Sequence, residues 1–311
     1  MERMEIRSAV VNGPLGTVGM ALVRNLLEKG IETWAVCYPG DRRIENLPAG
    51  ARIVECDMRE IQRLPEKVSR ADAFFHLAWM GTIGPGRNDT LLQTENVRCA
   101  VDAAKVAKQM SCQVFVGGGS QAEHGRIEGK VTSEAPCFPT TGYGIAKLCA
   151  GQMTRLECSH LGIRHVWARI LSAYGPGDGP LSVIPSMLDK LLKGEKPALT
   201  KGEQLWDFCF SGDVAEALYC MAVSGKDGKI YPVGSGKVRL LREYFEVVRD
   251  AVDPSLPLGI GELPYNENQV MHLQADLTPL YEDTGFVPKV SFEEGIQITL
   301  RAYREQMEKQ Q

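Results

Sequence analysis

The chain has 311 residues, 44% hydrophobic and 24% charged, with a formal net charge of -4. That length allows one large core or two packed domains, and the acidic balance argues against a nucleic-acid partner, which calls for a basic face. Nine cysteines occur without a Cys-x-x-Cys pair or a Cys/His cluster at zinc spacing, so no metal site is expected and the thiols read as reduced, in a cytoplasmic protein.

Met1-Glu2-Arg3-Met4-Glu5 is mixed in charge and does not read as a leader. No apolar run approaches the ~20 residues that cross a bilayer, so no membrane partner is expected. Ile6 to Val11 predicts a buried strand. Asn12-Gly13-Pro14-Leu15-Gly16-Thr17-Val18-Gly19 follows, then a helical pattern from Met20 to Lys29, closed by Gly30. Glu32 to Cys37 predicts a second strand. This is a βαβ unit with glycines at its first strand-to-helix turn. Gly13 suits the tight turn, Gly16 the close approach of a pyrophosphate, and Gly19 close packing of the helix on the sheet. The helix N-terminus would hold the phosphates. An acid at the end of the second strand binds the ribose 2′-OH of NAD, whereas a nearby arginine suits the 2′-phosphate of NADP. Cys37 stands at the acid's position, and Arg42 and Arg43 follow. The reading favours NADP(H), with NAD(H) as the alternative.

Arg52 to Cys56 and Ala73 to Leu77 predict the third and fourth strands. His76 reads as a packed strand residue. Gly81-Thr82-Ile83-Gly84-Pro85-Gly86 holds too many breakers for a helix and is expected to cover the nicotinamide side. Leu91 to Met110 predicts a helix. The fifth strand begins at Val114 and ends at Ser120. Tyr143-Gly144-Ile145-Ala146-Lys147 then opens another helix, whose spacing puts Tyr143 and Lys147 on one face. An ammonium beside a phenol favours the phenolate, and a serine hydroxyl can hold the substrate oxygen that gains or loses the proton.

Ile163 to Leu171 predicts the sixth strand. Beyond it come a helix at Ile184 to Leu192, strands at Pro197 to Thr200 and Trp206 to Phe210, and a helix at Asp213 to Val223 with Asp213 near its N-terminus. Tyr231 to Lys237 reads as a strand and turn, Leu241 to Ala251 as a helix, Pro254 to Thr278 as surface, and Phe292 to Glu305 as the closing helix. The expected fold class is α/β, a Rossmann-type doubly wound parallel sheet with a smaller C-terminal α/β substrate lobe. Residues 1–172, with returning segments near 205–235, would bind NAD(P). Residues 173–204 and 236–311 would form mainly the lobe.

The Gly13-x-x-Gly16-x-x-Gly19 spacing, together with Ser120 and Tyr143-x-x-x-Lys147, resembles the short-chain dehydrogenase/reductase superfamily. Cys56-Asp57-Met58, Phe75-His76-Leu77-Ala78, Asn96-Val97, Gly119 to Gly125, Ala173 to Asp178 and Asp207-Phe208…Asp213 to Ala217 resemble its extended branch of sugar-nucleotide epimerases, dehydratases and ketoreductases. The resemblance runs in family order from near residue 6 to near residue 300. It implies that Ser120, Tyr143 and Lys147 are catalytic. It implies a cofactor site of Gly13, Leu15, Gly16, Thr17, Val18, Gly19, Arg42, Asp57, Met58, Leu77, Ala78, Trp79, Asn96, Tyr143, Lys147 and Ile170. Asp57 and Met58 would meet the adenine, and Asn96 would brace the active-site strand. Ser120, Gln121, Ser172 and Trp206 would meet the substrate. The 91–110 helix and the helix after Tyr143 would form a homodimer interface.

Four features depart from the pattern. Dehydratases of the branch carry an acid or acid pair one and two residues after the serine. Here those positions are Gln121 and Ala122, and Glu123 comes later, on the opposite face if the segment is extended. An arginine that grips the substrate diphosphate is replaced by Trp206. A second, expected before Glu262-Leu263-Pro264, is replaced by Leu258-Gly259-Ile260-Gly261. The asparagine after the sixth strand is Ser172. The resemblance then implies a 4-keto-sugar reductase acting on a small molecule, a nucleotide-sugar by family likeness. An epimerase with retained NAD, or a reductase of a smaller ketone or aldehyde, is the alternative.

Overall fold

The computed structural model describes residues 4–127, 129–266 and 269–308. The chain runs β1 (Ser8–Asn12), α1 (Thr17–Glu28), β2 (Glu32–Cys37), β3 (Arg52–Glu55), β4 (Ala73–His76), α2 (Thr90–Gln109), β5 (Val114–Ser120), β6 (Lys130–Val131), α3 (Gly142–Leu161) and β7 (Arg164–Ile170). It continues through β8 (Ser172–Tyr174), α4 (Val183–Leu192), β9 (Ala198–Leu199), β10 (Leu205–Trp206), β11 (Phe208–Phe210), α5 (Ser211–Ser224) and β12 (Lys229–Val233). The remainder is β13 (Arg239–Leu240), α6 (Leu241–Val252), β14 (Gly259–Ile260), β15 (Gln274–Ala275), α7 (Thr278–Thr284) and α8 (Phe292–Glu308).

Seven strands form a parallel sheet in the order β12-β7-β5-β4-β1-β2-β3. The strands are apolar on both faces because helices cover both. Ala9 and Val11 pack with Leu22, Val23 and Leu26 of α1 and with α5. Val10, between them, faces α2 together with Phe74 and Phe115. Successive strands run outward to β3 on one side of β1 and through β4 on the other. The reversal opens a crevice beyond the end of β1, where ligands of such sheets bind.

Across one face runs a stacked ladder. Phe74, Phe115, His165 and Trp167 follow at centroid separations of 5.8, 5.9 and 6.0 Å. His76, as expected a packed strand residue, lies on Phe115 at 6.0 Å, with its Nδ1 3.1 Å from Asn12 Nδ2. A smaller core joins Tyr174, Phe208, Tyr244 and Phe292 with Ile184, Leu188 and Ile296.

Several elements differ from expectation. The run Trp206 to Phe210 is broken at Asp207, whose buried carboxylate accepts the N–H groups of Ser235, Gly236 and Ala275 at 2.7, 2.9 and 3.0 Å. α5 begins at Ser211, and Asp213 does not cap it. Its carboxylate instead accepts from Lys289 N at 3.1 Å and Val290 N at 2.9 Å, tying the segment before α8 to α5. α7 was not anticipated. Leu280 on it and Phe286 after it join the core under β1 and α5, so part of 236–311 lies against the large sheet. The segment Pro254 to Thr278 carries β14 and β15, and residues 267–268 of it lie outside the described residues. Among the described residues no helix is long and apolar enough to cross a membrane.

Burial holds His165 down to about 4 and His76 to about 3. Released by unfolding, each takes up a proton near the ordinary histidine value of ~6.5. Their contribution to stability is therefore present above pH ~6.5 and lost as pH falls toward 4. His165→Phe keeps the stack and removes one such proton. Urea unfolding between pH 7 and 4 should lose stability less steeply in this variant, by up to ~1.4 kcal/mol per pH unit.

Candidate active site

The crevice is built on the β1–α1 turn. Gly13 has φ +91°, and a Cβ there would stand 2.4 Å from Ala78 N. A Cβ on Gly19 would lie 2.1 Å from Gly13 O, so this glycine closes the helix onto its own turn rather than onto the sheet. A Cβ on Gly16 would meet no atom within 4 Å, leaving the backbone open toward the crevice. No side chain caps α1 at Gly16 and no acid lies in its first turn, so its end suits an anion.

A cavity of about 550 Å³ lies there. Of the expected cofactor residues, Gly13, Leu15, Gly16, Asp57, Met58, Leu77, Ala78 and Trp79 line it. Thr17, Val18 and Gly19 lie behind the turn, where the Thr17 hydroxyl reaches Asp178 Oδ1 at 3.5 Å. Arg42 is not on the wall; Arg43 is. Asp41 caps the 42–46 turn, accepting from Arg43 N at 3.0 Å, and grips the Arg43 guanidinium through Nε at 3.0 Å and Nη2 at 2.6 Å. Cys37 is buried beside this pair, its thiol pushed up to about 11 by burial. Asn96 lies beneath the cavity. Its Nδ2 donates to Met80 O at 2.9 Å and its Oδ1 accepts from Met80 N at 2.8 Å, so it braces the segment after β4. Ile170 packs against the core at the end of β7.

Tyr143 and Lys147 pack against Trp79, which lines this cavity, with Ser120 facing Tyr143. The Ser120 hydroxyl accepts from Ala122 N at 3.2 Å and faces the Tyr143 phenol. Lys147 is buried, donates to Gly118 O at 2.6 Å and lies 3.8 Å above the Trp79 ring. Burial pushes its ammonium down to about 7. Burial also raises the Tyr143 phenol, opposed by the Ser120 hydrogen bond and by the charge of Arg87. The expected pairing of Lys147 with the phenol is therefore corrected. Lys147 Nζ is 5.9 Å from the Tyr143 ring, while the Arg87 guanidinium lies 4.4 Å over its face. The pattern of breakers in 81–86 did not point to Arg87.

Glu123 is not an extended-strand residue facing away. Gln121–Glu123 forms a 3-10 turn, with Gln121 half-buried beside Ser120. Glu123 folds back beneath it and is fully buried. Its Oε1 accepts from Ser120 N at 2.8 Å and Trp167 Nε1 at 3.0 Å, and its Oε2 accepts from Arg169 Nε at 2.7 Å. His124 donates from Nδ1 to Pro136 O at 3.0 Å, which leaves its Nε2 to face Arg169 Nη1 at 3.4 Å as a neutral ring.

A second cavity, about 510 Å³, lies in the smaller core region. Ser172 and Trp206 line it and bond each other, Trp206 Nε1 donating to Ser172 Oγ at 2.8 Å. Among its lining residues the charged side chains are Asp178 and Lys190.

The family model of the NAD dependent epimerase/dehydratase family matches residues 9–234. The chain belongs to that family. It is thus an enzyme of the extended short-chain dehydrogenase/reductase type, as the motifs implied, in a family that depends on NAD. The chain is 23% identical over 337 aligned residues to dTDP-glucose 4,6-dehydratase of Neisseria meningitidis serogroup B, covering 96% of this chain and 93% of that protein. Its fold matches UDP-glucose 4-epimerase of Thermotoga maritima, solved with UDP-glucose, at a TM-score of 0.84 and 21% identity, over 96% of this chain and 99% of that one. It matches UDP-glucose 4-epimerase of Thermus thermophilus, solved with NAD, at 0.85 and 22%, over 96% and 99%.

Glu123→Gln keeps the shape of the side chain and leaves Arg169 buried without its counter-charge. Breaking a buried pair in this way should cost ~3–5 kcal/mol, read as a lowered urea midpoint.

Proposed function

We propose that this family member is an NADP(H)-dependent reductase of a nucleotide-linked 4-keto-sugar. The observation that carries the reading is the state of Glu123. Both its oxygens are committed to Ser120, Trp167 and Arg169. An elimination needs a placed acid or base, and Gln121 and Ala122 supply none. What is left is a serine, a tyrosine and a lysine, enough for proton transfer at one carbon. The open Gly16 turn and the uncapped start of α1 fit the pyrophosphate of a dinucleotide. When bound, the dinucleotide supplies the hydride chemistry. Ser120 holds the substrate oxygen, Tyr143 gives or takes its proton, and Lys147 holds ribose hydroxyls. The nucleotide part of the molecule lies with residues 1–172 and 205–235, and the substrate with the lobe.

Cys37 in place of an acid, and Arg43 on the cavity wall, favour the 2′-phosphate. A second reading is an epimerase that retains NAD. It is favoured by the NAD-dependent family, by the NAD held in the Thermus epimerase, and by the Asp41 carboxylate on the same wall. The dinucleotide content of the purified protein separates the two. Protein that binds NADPH and consumes it with a nucleotide-linked 4-keto-sugar supports the reductase. Protein that emerges with unexchangeable NAD overturns it. Tyr143→Phe should remove most turnover, on the order of a hundredfold or more, with dinucleotide binding nearly unchanged.

We also propose a homodimer through α2 and α3. Ile145, Met153 and Leu156 are exposed apolar residues along α3, and Leu91 stands exposed at the start of α2. Leu156→Glu should halve the solution mass measured by light scattering.

A further inference from the structure

The loop between β4 and α2 is not a loose cover. Gln93 of α2 is buried, and its Nε2 donates to three loop carbonyls, Met80 O at 3.3 Å, Gly81 O at 3.0 Å and Gly86 O at 2.8 Å. Its Oε1 accepts from Trp79 Nε1 at 2.9 Å. At the far end Asn88 Oδ1 accepts from Gly142 N at 2.9 Å, so the loop is fastened to the first residue of the catalytic helix. A Cβ on Gly142 would come 3.2 Å from Arg87 O, which marks how closely the two segments meet.

Arg87 is what this loop presents. Its Nη1 donates to Thr82 O at 2.7 Å, and its guanidinium carbon lies 4.4 Å from the Tyr143 ring centroid. Among the described residues these are its contacts, and no ion pair engages it. When Tyr143 gives its proton to a substrate oxygen, one negative charge stays on the phenol. We propose that Arg87 is a positioning residue for Tyr143: the Gln93-tied loop holds its fixed positive charge over the ring to stabilise the tyrosinate left by proton transfer.

The other groups around Tyr143 do not supply a dependable cation. Ser120, at the end of β5, gives a hydroxyl. Glu123, on the turn after it, opposes the phenolate but is matched by Arg169. Lys147, on the same helix as Tyr143, sits on Trp79 and Gly118 O, and burial pushes it down to about 7, so its charge is only partial near neutral pH. His76, on β4, faces Lys147 and stays uncharged. A guanidinium stays charged through the whole range.

The inference rests on Tyr143 being the proton-transfer group, but its test needs no substrate and so fails or stands apart from the reductase reading. Tyr143 is replaced by a fluorinated tyrosine whose phenol ionises where the fold is stable, and its tyrosinate absorbance is titrated. Arg87→Met and Arg87→Gln should raise the midpoint by about one pH unit, as expected for loss of an adjacent opposite charge. Arg87→Lys should keep most of the original value. A midpoint unmoved by both neutral variants overturns the proposal. So does an equal shift in all three variants, which would mean that shape rather than charge was lost.

Discussion

A single buried carboxylate fixes the active-site end of this sheet. Glu123 lies in the interior, where an unpaired charge is costly. It is tolerated because each of its oxygens meets a donor: the backbone of Ser120, the Trp167 indole and the Arg169 guanidinium. Those three donors come from β5 and β7, which are neighbours in the sheet. The carboxylate therefore stitches the two strands together just where they stop. Ser120 is held by its backbone at this point, while its hydroxyl accepts from Ala122 N and faces Tyr143. The carboxylate nearest Ser120 is thus used for architecture, both of its oxygens being engaged.

Charge is distributed unevenly over the rest of the crevice. The end at the β1–α1 turn has an uncapped helix terminus and the Asp41–Arg43 pair. The centre has two cations, Arg87 and Lys147, in different states. One is partly exposed and fixed in charge, the other buried and pushed down by burial to about 7. The lobe cavity is lined mainly by uncharged groups, with Trp206 pinned to Ser172 and, through its carbonyl, to Tyr244. A substrate diphosphate placed there would meet Lys190 rather than a bidentate arginine.

Local spacing made much of this readable beforehand. A strand, three glycines and a helix announce the β1–α1 turn because each glycine answers a short-range need. Tyr143 and Lys147 share a face by helical periodicity alone. What the sequence could not reveal depends on partners that meet only once the chain has folded. Arg43 rather than Arg42 reaches the cavity because Asp41 starts a 3-10 turn there. Asp207 breaks a strand to gather N–H groups from positions 235, 236 and 275. Glu123 turns inward because Arg169, 46 residues later, is waiting for it. Arg87 meets Tyr143 only once Gln93 and Asn88 have folded the loop down.

The indole of Trp167 occupies a slot between β5 and α3. A Cβ on Gly117 would lie 2.2 Å from its ring, one on Gly119 2.3 Å from its Nε1, and one on Gly151 2.8 Å from it. The tryptophan and these three glycines form one steric unit whose members cannot change independently. Enlarging any of these glycines is blocked by the ring, and Gly119 also by Glu123 Oε1 at 2.4 Å, whereas shrinking the ring first opens a space that a methyl group could fill at Gly117 or Gly151. Sequence drift here is therefore directional: the aromatic position must move before the small ones. A lineage that has filled the slot with side chains cannot readily return to tryptophan. The large residue on β7 and the glycines on β5 and α3 are thus expected to change as a block rather than singly.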